Sequence, residues 1–233
     1  MLETIAFIPD GNRRYAKEKE ITLEKSYFLA TRKAWEVLQW ITNSKTIKNG
    51  IFYTFSLKNF QRNGAEKIIL LSLLEKELDL MVKKERQEFL KKNKIKIKFI
   101  GKRELFSKSL QAKMSFVEEL TQKNGFRTIF LALGYDGQEE IISGIKKFIK
   151  EIEVGKRSLK DLSESKFLNY LYVPLQPDLI VRTSPEKRLS GFLTFQSAYS
   201  ELAFIEKYWS DITESDINKV ISNFENRERR FGK

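Results

Sequence analysis

The chain of 233 residues contains no cysteine and no histidine. Without cysteine there is no disulfide, no thiolate metal site and no cysteine nucleophile. Without histidine, the Ser-His-Asp triad, imidazole zinc sites and histidine general bases are excluded together. Any catalysis must rest on carboxylates, Arg, Lys, Asn, Ser, Tyr or a metal held by oxygen. Long apolar runs are also missing: none approaches the roughly 18 residues of a membrane span, and the longest, 68–74, is interrupted by Ser72. Met1-Leu2-Glu3-Thr4 lacks the basic segment and apolar stretch of a signal peptide, so a cytoplasmic protein is expected. Acidic residues are the minority charge, 31 Asp and Glu against 43 Lys and Arg, a net charge of +12. That surplus suits nucleic acid, phosphorylated small molecules or an anionic membrane surface, and it equally suits a lysine-rich surface with no polyanion partner.

What is present points to a globular α/β chain. Apolar residues make up 41%, enough to exclude disorder as the main state, and the length suits one domain over 1–233. Short β-like runs at 4–9, 50–56, 94–100, 127–133, 177–183 and 201–205 alternate with helical patterns at 26–44, 65–92, 103–123, 138–152, 158–171 and 215–230. Strands separated by helices predict a six-stranded, mostly parallel sheet covered by helices on both faces. Ligands of such sheets bind beyond the carboxyl ends of the strands, so the polar residues after each strand carry the functional information.

The first strand runs into Asp10-Gly11-Asn12-Arg13-Arg14-Tyr15. Gly11 allows close backbone approach, a helix start offers N–H groups to phosphate, and Arg13 and Arg14 add cationic forks. Asp10 belongs beside an anion only with a cation between them, as when Mg²⁺ joins one carboxylate to phosphate oxygens. The competing reading is a helix cap at Asp10 or Asn12 with solvated arginines. After the second strand, Ser56, Asn59 and Arg62 recur every third residue, either converging on a ligand or starting a capped helix. After the fifth, Arg182, Arg188 and Ser190 form a second candidate anion pocket, since an arginine leaving a buried strand needs a partner. Glu201 reads as a second metal ligand or as an edge-strand carboxylate. Residues 65–82 are apolar all round, more so than an ordinary surface helix, and suit a buried core helix or a dimer contact.

Taken together, Asp10–Ala16, Phe55–Arg62, Asp178–Ser190 and Phe195–Leu202 resemble the motif blocks of the cis-prenyltransferases, the undecaprenyl diphosphate synthase family, and Arg227–Gly232 resembles its ending. The resemblance spans residues 4–232. It implies a homodimeric α/β fold with an apolar tunnel, and condensation of isopentenyl diphosphate with an allylic prenyl diphosphate to give a cis-polyprenyl diphosphate. By position, it implies that Asp10 holds Mg²⁺ and assists loss of the allylic diphosphate. Gly11, Asn12, Arg13, Arg14 and Tyr15 bind that group, with Lys58, Phe60 and Arg62 beside it. Ser56 and Asn59 act in positioning and proton removal, Arg182, Arg188 and Ser190 bind isopentenyl diphosphate, and Glu201 shares the metal. No adjacent aspartates occur, which sets the chain apart from the Asp-rich trans enzymes. The chain departs from the family pattern at Leu23, where an Arg is usual, and at Ser26-Tyr27-Phe28-Leu29-Ala30, where Gly-His-x-x-Gly is usual. Further departures are Lys58, Asn63, Pro185, Lys187 and Gly191. These keep open a changed acceptor, a short-chain substrate or a non-catalytic partner subunit. Peripheral membrane contact for product release is expected. Nucleic acid is not, because no recognisable module or paired aromatic platform is present.

Overall fold

β1 (Thr4–Ile8) is buried at every position, as a strand covered on both faces must be. In the computed structural model, which describes residues 1–61 and 64–227, it lies at the middle of a six-stranded sheet. β2 (Asn49–Ser56) flanks it on one side and β5 (Leu179–Thr183) on the other. β4 (Arg127–Tyr135) pairs with β2, β3 (Ile95–Ile100) with β4, and β6 (Glu201–Ile205) with β5. The order is β3-β4-β2-β1-β5-β6, and every pairing is parallel. On edge strand β3, Ile95, Ile97 and Phe99 are buried while Lys96 and Lys98 face outward, which blunts the open edge with charge.

Alternation along β1 feeds two cores. Ile5 and Phe7 join the larger one with Trp35, Leu78, Met114 and Phe224, whereas Ala6 and Ile8 join the smaller with Phe130, Tyr135 and Phe192. The larger core is covered by α2 (Leu23–Thr42), α3 (Gly64–Met81), α4 (Lys84–Lys92), α5 (Lys108–Thr121) and α8 (Glu214–Glu225). The remaining helices are α1 (Asn12–Glu18), α6 (Gly137–Glu153) and the one-turn α7 (Glu164–Phe167).

Three predicted helices are shorter than their patterns. The run 65–92 breaks at Lys83, whose backbone is extended, and the Gln87 side chain donates to the freed Met81 carbonyl at 2.6 Å. The run 103–123 begins as a 3₁₀ turn, and Ser107 then caps α5 by accepting from the Leu110 N–H at 3.2 Å. The run 158–171 is split into short turns because Ser158 and Ser163 each cap a new one, as serine does when it competes with helix for backbone groups. The fifth strand begins later than predicted, since Asp178 uses its carboxylate to accept from the Glu3 and Thr4 N–H groups, both at 2.9 Å. The predicted end of the last helix, beyond Arg227, lies outside the described residues.

Chain direction makes the centre of the sheet functional. From β1 the chain moves outward one way through β2, and β5 and β6 lie on the other side. The three motif loops therefore leave three adjacent strands, β2, β1 and β5, at their carboxyl ends, the crevice such folds use for ligands.

Candidate active site

The loop after β1 is fixed from β5. The Thr183 hydroxyl accepts from the Asp10 N–H at 2.9 Å and donates to the Asp10 carbonyl at 3.0 Å. Gly11 then turns with φ +97°, and a Cβ there would meet Tyr208 Cδ1 at 2.6 Å. It occupies the cap position of α1 without a side chain to close it. The Asp10 carboxylate accepts from Gly11 N–H at 2.7 Å and from Arg182 Nη2 at 2.7 Å, with Arg14 Nη2 at 3.6 Å.

Arg182 is the buried cation of the site, its side chain 5% exposed. Besides Asp10 it donates to Ser190 Oγ at 2.9 Å and to the Arg188 carbonyl, and its Nε has no partner. Glu186, which the sequence reading passed over because it weighed only the cations, joins the two arginine groups. It accepts from Arg14 at 3.0 Å and pairs with Arg188. Asn12 Oδ1 is likewise buried without a partner. Across the mouth, Asn59 Oδ1 accepts from the Ser56 N–H at 2.5 Å and the Ser56 hydroxyl at 3.0 Å.

These groups surround the opening of a cavity of about 790 Å³ between the sheet and α2 and α3. Asp10, Gly11, Asn12, Arg13, Arg14, Ser56, Asn59, Arg182 and Ser190 all line it. Farther in, the walls are apolar: Ala30, Ala34 and Leu38 from α2, Leu70, Leu74 and Met81 from α3, and Phe52, Phe99 and Leu131 from the sheet. Leu23 and Tyr27, the departures noted in sequence, also line the cavity. Ser26 Oγ donates to the Asn12 carbonyl at 2.7 Å and Tyr27 Oη to Glu66 at 2.5 Å, so these substitutions tie α2 to both neighbouring helices.

Other predicted residues stand elsewhere. Phe60 packs edge-on against Phe55 and Phe106, ring centroids 4.9 and 5.2 Å away, and serves the core. Tyr15 packs against Tyr208, and Lys58 is exposed; none of these three lines the cavity. Arg188 reaches the mouth only through Glu186 and its own carbonyl. Glu201 is not brought to Asp10 by this chain alone. It begins β6 beside Leu179, level with Ile5, and binds Arg227 at 2.7 Å. Asp10 follows the opposite ends of the strands, about 16 Å farther along at ~3.3 Å per residue. One chain therefore does not bring the two carboxylates together. Arg62 lies outside the described residues, and among those described no three acidic groups are placed to hold a metal ion together.

A buried tyrosine network braces the side of the mouth nearest Ser190. Tyr53 stacks on Phe192 at 4.7 Å and meets Tyr135 edge-on. Burial pushes the Tyr53 and Tyr135 phenols upward, and that of Tyr172 to about 12. Tyr135 donates to Glu140, which also accepts from Tyr172 N–H at 2.7 Å and Gln196 Nε2 at 3.1 Å. Burial raises the Glu140 carboxyl above its ordinary value against these donors. Gln196, quoted in the last motif block, is a brace and not a ligand-facing group: it is fully buried.

Comparisons with known proteins agree with this geometry. A family model described as putative undecaprenyl diphosphate synthase matches residues 8–232. The chain is 39% identical over 232 residues to the tritrans,polycis-undecaprenyl-diphosphate synthase (geranylgeranyl-diphosphate specific) of Thermoplasma volcanium, covering 98% of this chain and 88% of that one. It is 34% identical over 230 residues to the isoprenyl transferase of Thermotoga maritima, covering 98% and 95%. Lavandulyl diphosphate synthase from Lavandula x intermedia, solved with dimethylallyl diphosphate, superposes with a TM-score of 0.91 at 27% identity, covering 98% of this chain and 97% of that one. The carboxylate framed by arginines, the strand order and these relatives lead to one conclusion: the chain belongs to the cis-prenyltransferase family, the family of the undecaprenyl diphosphate synthases.

Proposed function

We propose that this cis-prenyltransferase condenses isopentenyl diphosphate with an allylic prenyl diphosphate at the mouth of the cavity and stores the growing cis-polyprenyl chain within it. One observation carries the reading: the arginine-framed Asp10 opens directly into an apolar cavity of about 790 Å³.

Breaking the allylic C1–O bond leaves its electron pair on the departing diphosphate and positive charge on carbon. Arg13, Arg14 and the N–H groups after Gly11 hold that diphosphate and stabilise the charge as it develops. Arg182 and Ser190, joined by Arg188 when it releases Glu186, hold isopentenyl diphosphate, whose terminal carbon attacks C1. A proton leaves its C2 as the new double bond forms. Ser56, held by Asn59 through its N–H and hydroxyl, relays that proton by turning its own hydroxyl hydrogen from Asn59 to a diphosphate oxygen as its oxygen takes up the proton from C2.

The donor chemistry fits Mg²⁺. Asp10 is a hard oxygen ligand, 30% exposed at the mouth, and Mg²⁺ typically takes one or two carboxylates together with substrate phosphates and water. Asp10 would hold it with the diphosphate oxygens, and the bound ion would neutralise the leaving group. Glu201 is not in that set within one chain. A homodimer is part of the reading, supported by Ile142, Ile145 and Ile149, which α6 exposes along one face. Among the described residues no helix is long and apolar enough to cross a membrane, so release of so apolar a product calls for peripheral contact with a lipid surface.

The test is incubation with labelled isopentenyl diphosphate, allylic primers of several lengths and Mg²⁺, followed by product sizing. A ladder rising by whole isoprene units is expected. A folded sample that makes no product with any primer would refute the reading.

A further inference from the structure

The deep end of the cavity is built differently from its walls. Ser56 marks the mouth on β2, while Ile97 and Ile129, which also line the cavity, lie level with Gly50. That is six residues lower, about 20 Å at ~3.3 Å per residue. α2 and α3 both descend from the mouth. Trp35 lies twelve residues below Leu23 and Glu77 eleven below Glu66, about 18 and 16 Å at ~1.5 Å per residue.

At that depth the apolar lining is interrupted. Trp35 Nε1 donates to Glu77 Oε2 at 2.8 Å, joining α2 to α3, and both residues line the cavity. Behind the indole, the break at Lys83 folds α4 back. This places the Arg86 guanidinium 3.7 Å from the Trp35 ring centroid and Phe89 edge-on at 6.3 Å. Burial lowers the pKa of Arg86, and the nearby Glu77 charge acts against that. Below, Gly50 leaves no spare room: a Cβ there would meet Ile129 Cδ1 at 2.8 Å and Ile41 Cδ1 at 3.2 Å. A carboxylate on an apolar wall is costly without its partners. A chain end pushed against Glu77 must strip it of Trp35 or of water.

We propose that the Trp35–Glu77 hydrogen bond, backed by Arg86 and resting on Leu38 and Met81 one turn below, is the floor of the prenyl site and sets the longest chain the protein accommodates. The assignment rests on the proposed function, because it needs a prenyl chain in the cavity. Trp35 and Glu77 are specificity-determining positions, distant from the reacting atoms.

The test titrates allylic diphosphates of increasing chain length, with Mg²⁺, against the full-length protein and its variants. For the wild type, affinity should tighten about tenfold or more per added isoprene unit while apolar surface is still being buried, then stop at a break. Glu77→Ala should move the break to longer chains and lengthen the product ladder in the same direction. Trp35→Phe, which removes the N–H, should do likewise. Glu77→Gln, which keeps an acceptor for the indole, should leave the break in place. Circular dichroism confirms folding, and if Trp35→Phe does not fold, the two Glu77 variants decide. An unmoved break in folded Glu77→Ala, or equal shifts in Glu77→Ala and Glu77→Gln, overturns the floor assignment alone. A wild type that binds no allylic diphosphate overturns the floor and the proposed function together.

Discussion

Arg182 has the most exacting position in the site, because one guanidinium must satisfy Asp10, Ser190 and the Arg188 carbonyl from a buried strand end. Lysine is a point charge and cannot supply that fork. Arg182→Lys should therefore lower kcat/KM for isopentenyl diphosphate by about tenfold or more and cost roughly 1–3 kcal/mol of stability, read by steady-state kinetics and thermal melting. Wild-type kinetics in that variant would remove Arg182 from the site. Asp10→Asn keeps the shape and loses the charge. Turnover should fall by about 10²–10³-fold and the melting temperature should also drop, because buried Arg182 loses its counter-charge; retention of turnover would show that Asp10 takes no part. At this scale the charged skeleton was legible in sequence because each residue stands at a strand's carboxyl end or in the loop after it. Glu186 escaped notice because an acid between two arginines reads as a solvated pair until both are seen to converge on it. Glu201 stands apart within one chain because it begins a strand where the others end one.

Among the elements, the turn into α1 depends on Gly11. Its left-handed backbone and the 2.6 Å approach to Tyr208 leave no place for a methyl group. Gly11→Ala should cost about 1–3 kcal/mol and weaken diphosphate binding in a calorimetric titration; an unchanged melt and affinity would contradict that placement. α6 is coupled to β4 and the 172–173 segment through Glu140. Burial raises its carboxyl above the unfolded value of ~4.3, so its contribution is fully present below that pH and is lost as pH rises through the raised folded value. Relative to Glu140→Gln, the wild type should therefore lose melting temperature across that window, and a pH-independent difference would refute the assignment. The helix pattern over 65–92 carries neither Pro nor Gly. Nothing local announced the break at Lys83, which depends on Gln87 reaching back to Met81. The serine caps at Ser158 and Ser163 were readable in principle, but apolar spacing outweighed them.

For the whole molecule, strand number and parallel pairing follow from the alternation of strands and helices, and the crevice between the central strands follows from their order. The cavity does not follow in the same way. The apolar surplus of 65–82 fits a core helix as well as a cavity wall, and only tertiary packing shows Leu73, Leu78 and Met81 turned inward while Ile68 and Leu80 stay exposed. What the whole fold accomplishes is to hold one carboxylate opposite buried and half-buried guanidinium groups above an apolar space. The most direct measurement is a crystal structure with isopentenyl diphosphate, an unreactive allylic thiolodiphosphate and Mg²⁺. The account predicts both diphosphates between Asp10, Arg14 and Arg182, with the allylic tail running down between α2 and α3. Diphosphates bound away from Asp10, or a tail lying outside that cavity, would contradict it.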